Sequence, residues 1–130
     1  PKLAKCFKGW AQPNLVRKLL SSSKIALNLF LNNYDRVSKG CNTRLFEIAA
    51  CNGACQILPH SSLVVDFFEP SIDLLTFNDP HDMICLIKTL LKDSSYRKYL
   101  ASNAFAKSSQ YSYQARAQTI ATHIENTSKS

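Results

Sequence analysis

The chain has 130 residues and a mass of 14.6 kDa, enough for one domain around a single core. Its 45% hydrophobic and 19% charged content excludes a disordered chain, and its longest nearly apolar run, residues 25–31 broken by Asn28, is too short to cross a bilayer. The net charge of +7 favours an anionic ligand, surface or partner domain.

The predicted elements follow in order. Residues 6–10 read as the end of a short strand or a loop edge. Gln12-Pro13-Asn14 opens a helix with Pro13 in its first turn, Leu15, Val16, Leu19 and Leu20 form its apolar face, and Ser21 to Ser23 close it. Residues 24–31 form a strand whose near-continuous apolar character predicts a central parallel strand covered on both faces. Within it, Asn28 must be hydrogen-bonded if buried and is placed to brace the neighbouring loop.

A polar loop over 32–40 leads to Asn42 or Thr43, either of which caps the next helix. That helix carries Leu45, Phe46, Ile48, Ala49 and Ala50 and ends near Asn52-Gly53. A strand over 54–58 stops at Pro59; Ser61 or Ser62 caps a short helix through Phe67 and Phe68; a strand over 74–77 follows. Asp79-Pro80 starts a helix with Met83, Ile84, Ile87, Leu90 and Leu91 toward the sheet. Two more helices follow. One spans 95–108, with Tyr96, Tyr99, Leu100 and Asn103 on one side. The other spans 113–125, with Tyr113, Ala117, Ile120, Ala121 and Ile124 facing inward, ahead of a frayed polar tail over 126–130. This alternation predicts an α/β fold: a Rossmann-like open parallel sheet with helices on both faces.

Cys6, Cys41, Cys51, Cys55 and Cys85 are odd in number and mostly widely spaced, which argues against a disulfide framework and for a reduced, cytoplasmic chain. Cys51 and Cys55 lack the further ligands a zinc site needs, so no metal is expected. Nothing resembling a secretory leader is visible. Residues 1–44 hold nine of the basic side chains against Asp35 alone, concentrating the positive field at one end. No basic helix, zinc-finger spacing or stacking aromatic pattern accompanies that charge, which argues against nucleic acid as the partner.

Ligands of such folds bind at the carboxyl ends of the strands. There, Gly40 allows close backbone approach, and the amides at Asn42 and Thr43 with Arg44 suit a phosphate. Glu47, three residues beyond Arg44 on the same helix face, suits the two hydroxyls of a ribose. The same spacing also describes an ordinary surface ion pair. Lys39 either neutralises diphosphate charge or faces solvent. His60, His81 and His123 have no sequence neighbours suggesting a triad, Asp66 and Glu69 read as surface or capping groups, and the tyrosines at 96, 99, 111 and 113 read as helix packing.

Ser23-Lys24-Ile25-Ala26-Leu27-Asn28, then Asn42-Thr43-Arg44-Leu45-Phe46-Glu47-Ile48-Ala49-Ala50-Cys51, then Gly53, resemble the C-terminal domain of group 1 glycosyltransferases. The resemblance is closest to the branch similar to the spore maturation protein CgeB, and it continues through Phe68-Glu69-Pro70, Phe77, Asp79-Pro80 and the last two helices. It implies one half of a GT-B architecture, with residues 1–125 as the donor-binding domain and the N-terminal acceptor domain missing. The donor is then a nucleotide diphosphate sugar, with no further cofactor and an unknown acceptor. Carried over by position, Glu47 holds the ribose, Arg44, Asn42 and Thr43 fall near the diphosphate, and residues 9–12 lie near the base pocket. Many relatives carry a Glu-x7-Glu pair; Glu47 matches its second member, but Lys39 stands where the first would be. The resemblance therefore names neither donor sugar nor stereochemical outcome, and it supplies no catalytic base within the chain. The rival readings are a non-catalytic protein-binding or regulatory module of the same fold, and a basic α/β nucleic-acid-binding domain.

Overall fold

The computed structural model describes residues 5–7, 9–29 and 42–128. Three short strands, β1 (Ile25–Leu27), β2 (Cys55–Pro59) and β3 (Leu75–Phe77), form a parallel sheet in the order β1-β2-β3. Ile25 pairs with Cys55, and Ile57 with Leu75. Helix α1 (Pro13–Ser22) precedes the sheet, α2 (Arg44–Ala50) connects β1 to β2, and α3 (Ser62–Val65) connects β2 to β3. Helices α4 (Pro80–Lys92), α5 (Ser94–Ser108) and α6 (Tyr113–Ser128) follow, with a 3₁₀ turn at Ser109–Tyr111. The element order is the one the sequence predicts, and the fold is an open parallel sheet with helices on both faces.

Strand alternation explains how both faces are covered. On one face, Cys55, Ile57, Leu75 and Phe77 pack with Leu90 of α4 and Leu100 of α5. On the other, Leu58 packs with Leu45 and Ala49 of α2, Val64 of α3, Phe68 and Ala104 of α5. Parallel strands expose no polar face, so this two-sided burial is their condition of stability. Two caps behave as their chemistry dictates. The Asp79 carboxylate accepts the N–H groups of His81 and Asp82 at 2.7 and 2.9 Å, with Pro80 at the first helical position. Asp93 accepts the Tyr96 N–H at 2.8 Å and so starts α5 one residue earlier than predicted.

The structure corrects four expectations about which faces are covered. Among the described residues β1 pairs only with β2 and stands at the edge of the sheet, and Leu27 is exposed. In α1, Val16 and Leu20 turn inward while Leu15 and Leu19 are exposed, so its leucines divide between two faces. In α4, Ile84 and Leu91 are exposed, and Met83, Leu86, Ile87 and Leu90 make the core contact. Helix α6 buries no residue, and Tyr113, Ile120 and Ile124 all face solvent. Helix α3 is also shorter than predicted: it ends at Val65, and Phe68 reaches the core from beyond it.

Two sets of contacts position the helices. The Asp73 carboxylate, buried beside β3, accepts the Glu69 N–H at 2.8 Å and meets Lys107 of α5 at 3.0 Å, while Asn103 donates to the Ile72 carbonyl at 3.0 Å. These bonds strap α5 over the turn that precedes β3. Before β2, at the same amino-terminal end of the parallel strands, Asn52 takes a left-handed conformation after α2, which asparagine tolerates. Gly53 then presses against the end of α1: a Cβ there would stand 2.3 Å from the Ser21 carbonyl oxygen. Ala54 N–H donates to the Leu20 carbonyl at 3.0 Å, and the Ser21 hydroxyl to the Cys51 carbonyl at 3.2 Å. Gly53→Ala is therefore expected to push α1 off the α2–β2 turn and destabilise the domain by about 1–3 kcal/mol, read as a lower midpoint in thermal unfolding.

Candidate functional site

Asn28 follows β1 directly and is 2% exposed. Its N–H continues the sheet by donating to the Ile57 carbonyl at 2.9 Å. Its carboxamide forms a reciprocal pair with Asn42: Asn28 Nδ2 donates to Asn42 Oδ1 at 3.1 Å, and Asn42 Nδ2 donates to Asn28 Oδ1 at 3.0 Å. Asn42 Oδ1 also accepts the Leu45 N–H at 3.2 Å, so Asn42 caps the first turn of α2 while Thr43 makes no side-chain cap bond. A polar residue that looks misplaced in an apolar strand is thus satisfied by the residue that starts the next helix. The pair ties the carboxyl end of β1 to the start of α2.

That start carries Arg44 and Glu47. Their side chains approach to 3.9 Å and are each about half exposed, 55% and 56%, which makes a loose pair of small energetic weight. The N–H of Leu45 is taken by Asn42, and those of Phe46 and Glu47 by the Thr43 carbonyl. In this turn an incoming anion therefore meets the guanidinium of Arg44 rather than those three amides.

Glu47 stands between two clefts. One, of about 800 Å³, runs between α1 and α2 and is lined by Trp10, Pro13, Arg17, Arg44, Glu47 and Cys51 among others. The other, of about 400 Å³, is aromatic, with Phe46, Phe67, Tyr111 and Tyr113 beside Glu47 and Arg116. In the second cleft the Arg116 guanidinium lies 5.4 Å from the Phe46 ring centroid, a cation–π contact that joins the first turns of α6 to α2. Phe46 also packs edge-on to Phe67 at 5.2 Å, and the Tyr111 hydroxyl donates to the Phe67 carbonyl at 3.1 Å. This cleft is largely a packed aromatic seam.

The larger cleft brings Arg44 and Glu47 together with Trp10 and Ala11, from the segment expected near a base pocket. Asn42 lies behind it, engaged with Asn28, and Thr43 lines the aromatic cleft. Lys39 and Gly40 lie outside the described residues. His60 is set apart, its N–H donating to the Phe77 carbonyl at 2.9 Å and its Nδ1 3.5 Å from Thr76 Oγ1. Among the described residues no group of three or more His, Cys, Asp or Glu gathers to hold a metal ion, and no helix is long and apolar enough to cross a membrane.

Sequence reasoning missed Arg17, Cys51 and Phe105 as cleft residues. Arg17 had a signal, a cation between Val16 and Leu20 on the inward side of α1; Phe105 had none, because α5 reaches the cleft only through the fold. Burial pushes the Cys51 thiol up, with Arg17 opposing and Glu47 reinforcing that shift, so the two charges converge on this sulfur. Burial pushes the thiol of Cys55, at the start of β2, up to about 11. The Asn28–Asn42 pair yields a test. Either Asn28→Ala or Asn42→Ala strands a polar partner and is expected to cost about 1–3 kcal/mol. The double variant is expected to cost clearly less than the sum in denaturant unfolding, because no stranded amide remains.

A family model described as glycosyl transferase-like matches residues 1–122. No curated protein and no solved structure matches the chain. The matched span takes in all three strands, the Asn28–Asn42 tie and the whole of the larger cleft. With its parallel sheet and flanking helices, the chain belongs to the glycosyl transferase-like family.

Proposed function

We propose that this chain is the donor-nucleotide-binding half of a glycosyltransferase that moves a sugar from a nucleotide diphosphate sugar to an acceptor hydroxyl. One observation carries the reading: Glu47 and Arg44, at the carboxyl end of the sheet, share a cleft of about 800 Å³ with the exposed indole of Trp10. That volume is within the usual range for small-molecule sites. In this reading the Glu47 carboxylate accepts hydrogen bonds from the ribose hydroxyls. The Arg44 guanidinium holds the diphosphate, the base lies against Trp10, and Thr43, Gly40 and Lys39 are further candidate contacts to the phosphates. Asn42 acts indirectly, by fixing the turn from which Arg44 and Glu47 project.

The chemistry follows from charge. As the glycosidic bond breaks, negative charge grows on the departing diphosphate, and a fixed cation placed there stabilises it. Arg44 has that role here. The acceptor pocket and any general base belong to a partner domain, so residues 1–125 alone bind nucleotide without turnover. The CgeB-like branch is the proposed place of the chain within its family, and the cytoplasm its proposed compartment.

Calorimetric titration with UDP, GDP, ADP, TDP and CMP tests this reading. One diphosphate is expected to bind selectively, with Glu47→Ala weakening it about 10- to 100-fold through loss of charge-assisted hydrogen bonds. Arg44→Ala is expected to weaken the diphosphate much more than the corresponding nucleoside. A folded sample that binds none of the five, or binding indifferent to Glu47→Ala, would overturn it. Cys51 gives a second readout, since a ligand in the cleft should slow its alkylation while leaving exposed Cys6 and Cys85 unaffected.

A further inference from the structure

Helix α1 presents two different faces. Pro13, Val16, Arg17, Leu20 and Ser21 line the cleft, and Leu20 also packs on Ala26, Ile48 and Ala54. The opposite side carries Leu15, Lys18, Leu19 and Ser22, at the i, i+3, i+4, i+7 spacing of one helix face, and all four are exposed. The segment before α1 adds Phe7, 80% exposed, and Trp10, 82% exposed. Large aromatic and leucine side chains therefore stand in water on α1 and in the segment before it.

The charge around them has one sign. The first 34 residues contain Lys2, Lys5, Lys8, Arg17, Lys18 and Lys24 and no acidic residue, the first acid being Asp35. Among these, Lys5, Arg17, Lys18 and Lys24 are exposed within the described residues, Arg17 on the cleft side. Leucine and aromatic side chains beside lysines, without acids, are the composition of helices that lie in the plane of a membrane surface. Phe and Trp rings enter the headgroup boundary while the lysines stay with the lipid phosphates.

We propose that the outward face of α1, with Phe7 of the segment before it, docks this domain on an anionic lipid surface. The observations favour lipid over nucleic acid. Attraction to a phosphate backbone needs only the cations, whereas the exposed Leu15, Leu19 and Phe7 find no use against a polyanion in water. Leu15, Lys18 and Leu19 lie on the far side of α1 from the residues that line the cleft, so this face operates with or without a nucleotide and does not depend on the proposed donor site.

Trp10 is the sole tryptophan and, just before α1, reports on the docking of that helix. Vesicles of mixed phosphatidylcholine and phosphatidylglycerol are expected to blue-shift its emission and to co-sediment with the full chain; phosphatidylcholine alone is not, and raised salt should reverse the effect. Lys18→Gln is expected to weaken vesicle binding about fivefold. Leu15→Ser with Leu19→Ser should abolish it, with far-UV circular dichroism and the thermal midpoint unchanged because neither leucine is in the core. No blue shift with anionic vesicles, equal binding to neutral ones, or undiminished binding by the folded double-serine variant would each overturn the proposal. So would capture by RNA without capture by vesicles.

Discussion

The reciprocal amide pair between Asn28 and Asn42 governs the geometry of the site. A carboxamide buried without partners costs several times what a satisfied hydrogen bond contributes, so the end of β1 is a stable place for asparagine only if the chain returns to meet it. Asn42 does so and in the same act caps α2 through Leu45. The orientation of Arg44 and Glu47 is therefore set by a pair of residues that need touch no ligand. This division is physically sensible: side chains that must yield to a ligand are held by side chains that do not.

The other end of α2 is fixed differently. There the constraint is steric, with Gly53 admitting the backbone of Ser21 and the Ala54 and Ser21 hydrogen bonds holding it. A polar tie at the start of α2 and a close backbone contact at its end together define the angle between α1 and α2. The larger cleft is the space that angle leaves, with Phe105 of α5 as a further wall. Its shape thus depends on three elements distant in sequence, which is why the cleft is a property of the fold and not of any motif.

This separates what was legible in the sequence from what was not. Local chemistry was legible: Pro13 and Asp79-Pro80 start helices, Asn52-Gly53 ends one, and Asn28 demanded a partner. Arg44 and Glu47 were legible as a pair because three residues on a helix suffice to bring them together. The identity of Asn28's partner, the reach of Phe105 into the cleft and the packing of Arg116 on Phe46 were not, since each requires a tertiary contact. Apolar periodicity also misled over cover. It correctly marks Leu15, Leu19, Ile84, Leu91, Ile120 and Ile124 as apolar positions on helices, but it says nothing of what packs against them, and in the structure these side chains are exposed. The apolar run of β1 likewise reads as a central strand, yet hydrophobicity does not count a strand's neighbours, and among the described residues β1 has one, β2.

The looseness of the Arg44–Glu47 pair bears on what the proposed site can do. At 3.9 Å and half exposed, the pair is worth little, so a ligand that draws Arg44 toward a diphosphate and Glu47 toward a ribose sacrifices little to separate them. A tighter, buried pair would oppose the same exchange strongly. Helix α2 has only seven residues and its first amides are largely engaged, so its dipole adds modestly to anion binding. An arginine in the first turn is unfavourable there without an anion and favourable with one. In the proposed site Arg44 is thus held in a position of mild electrostatic frustration, which a bound diphosphate would relieve.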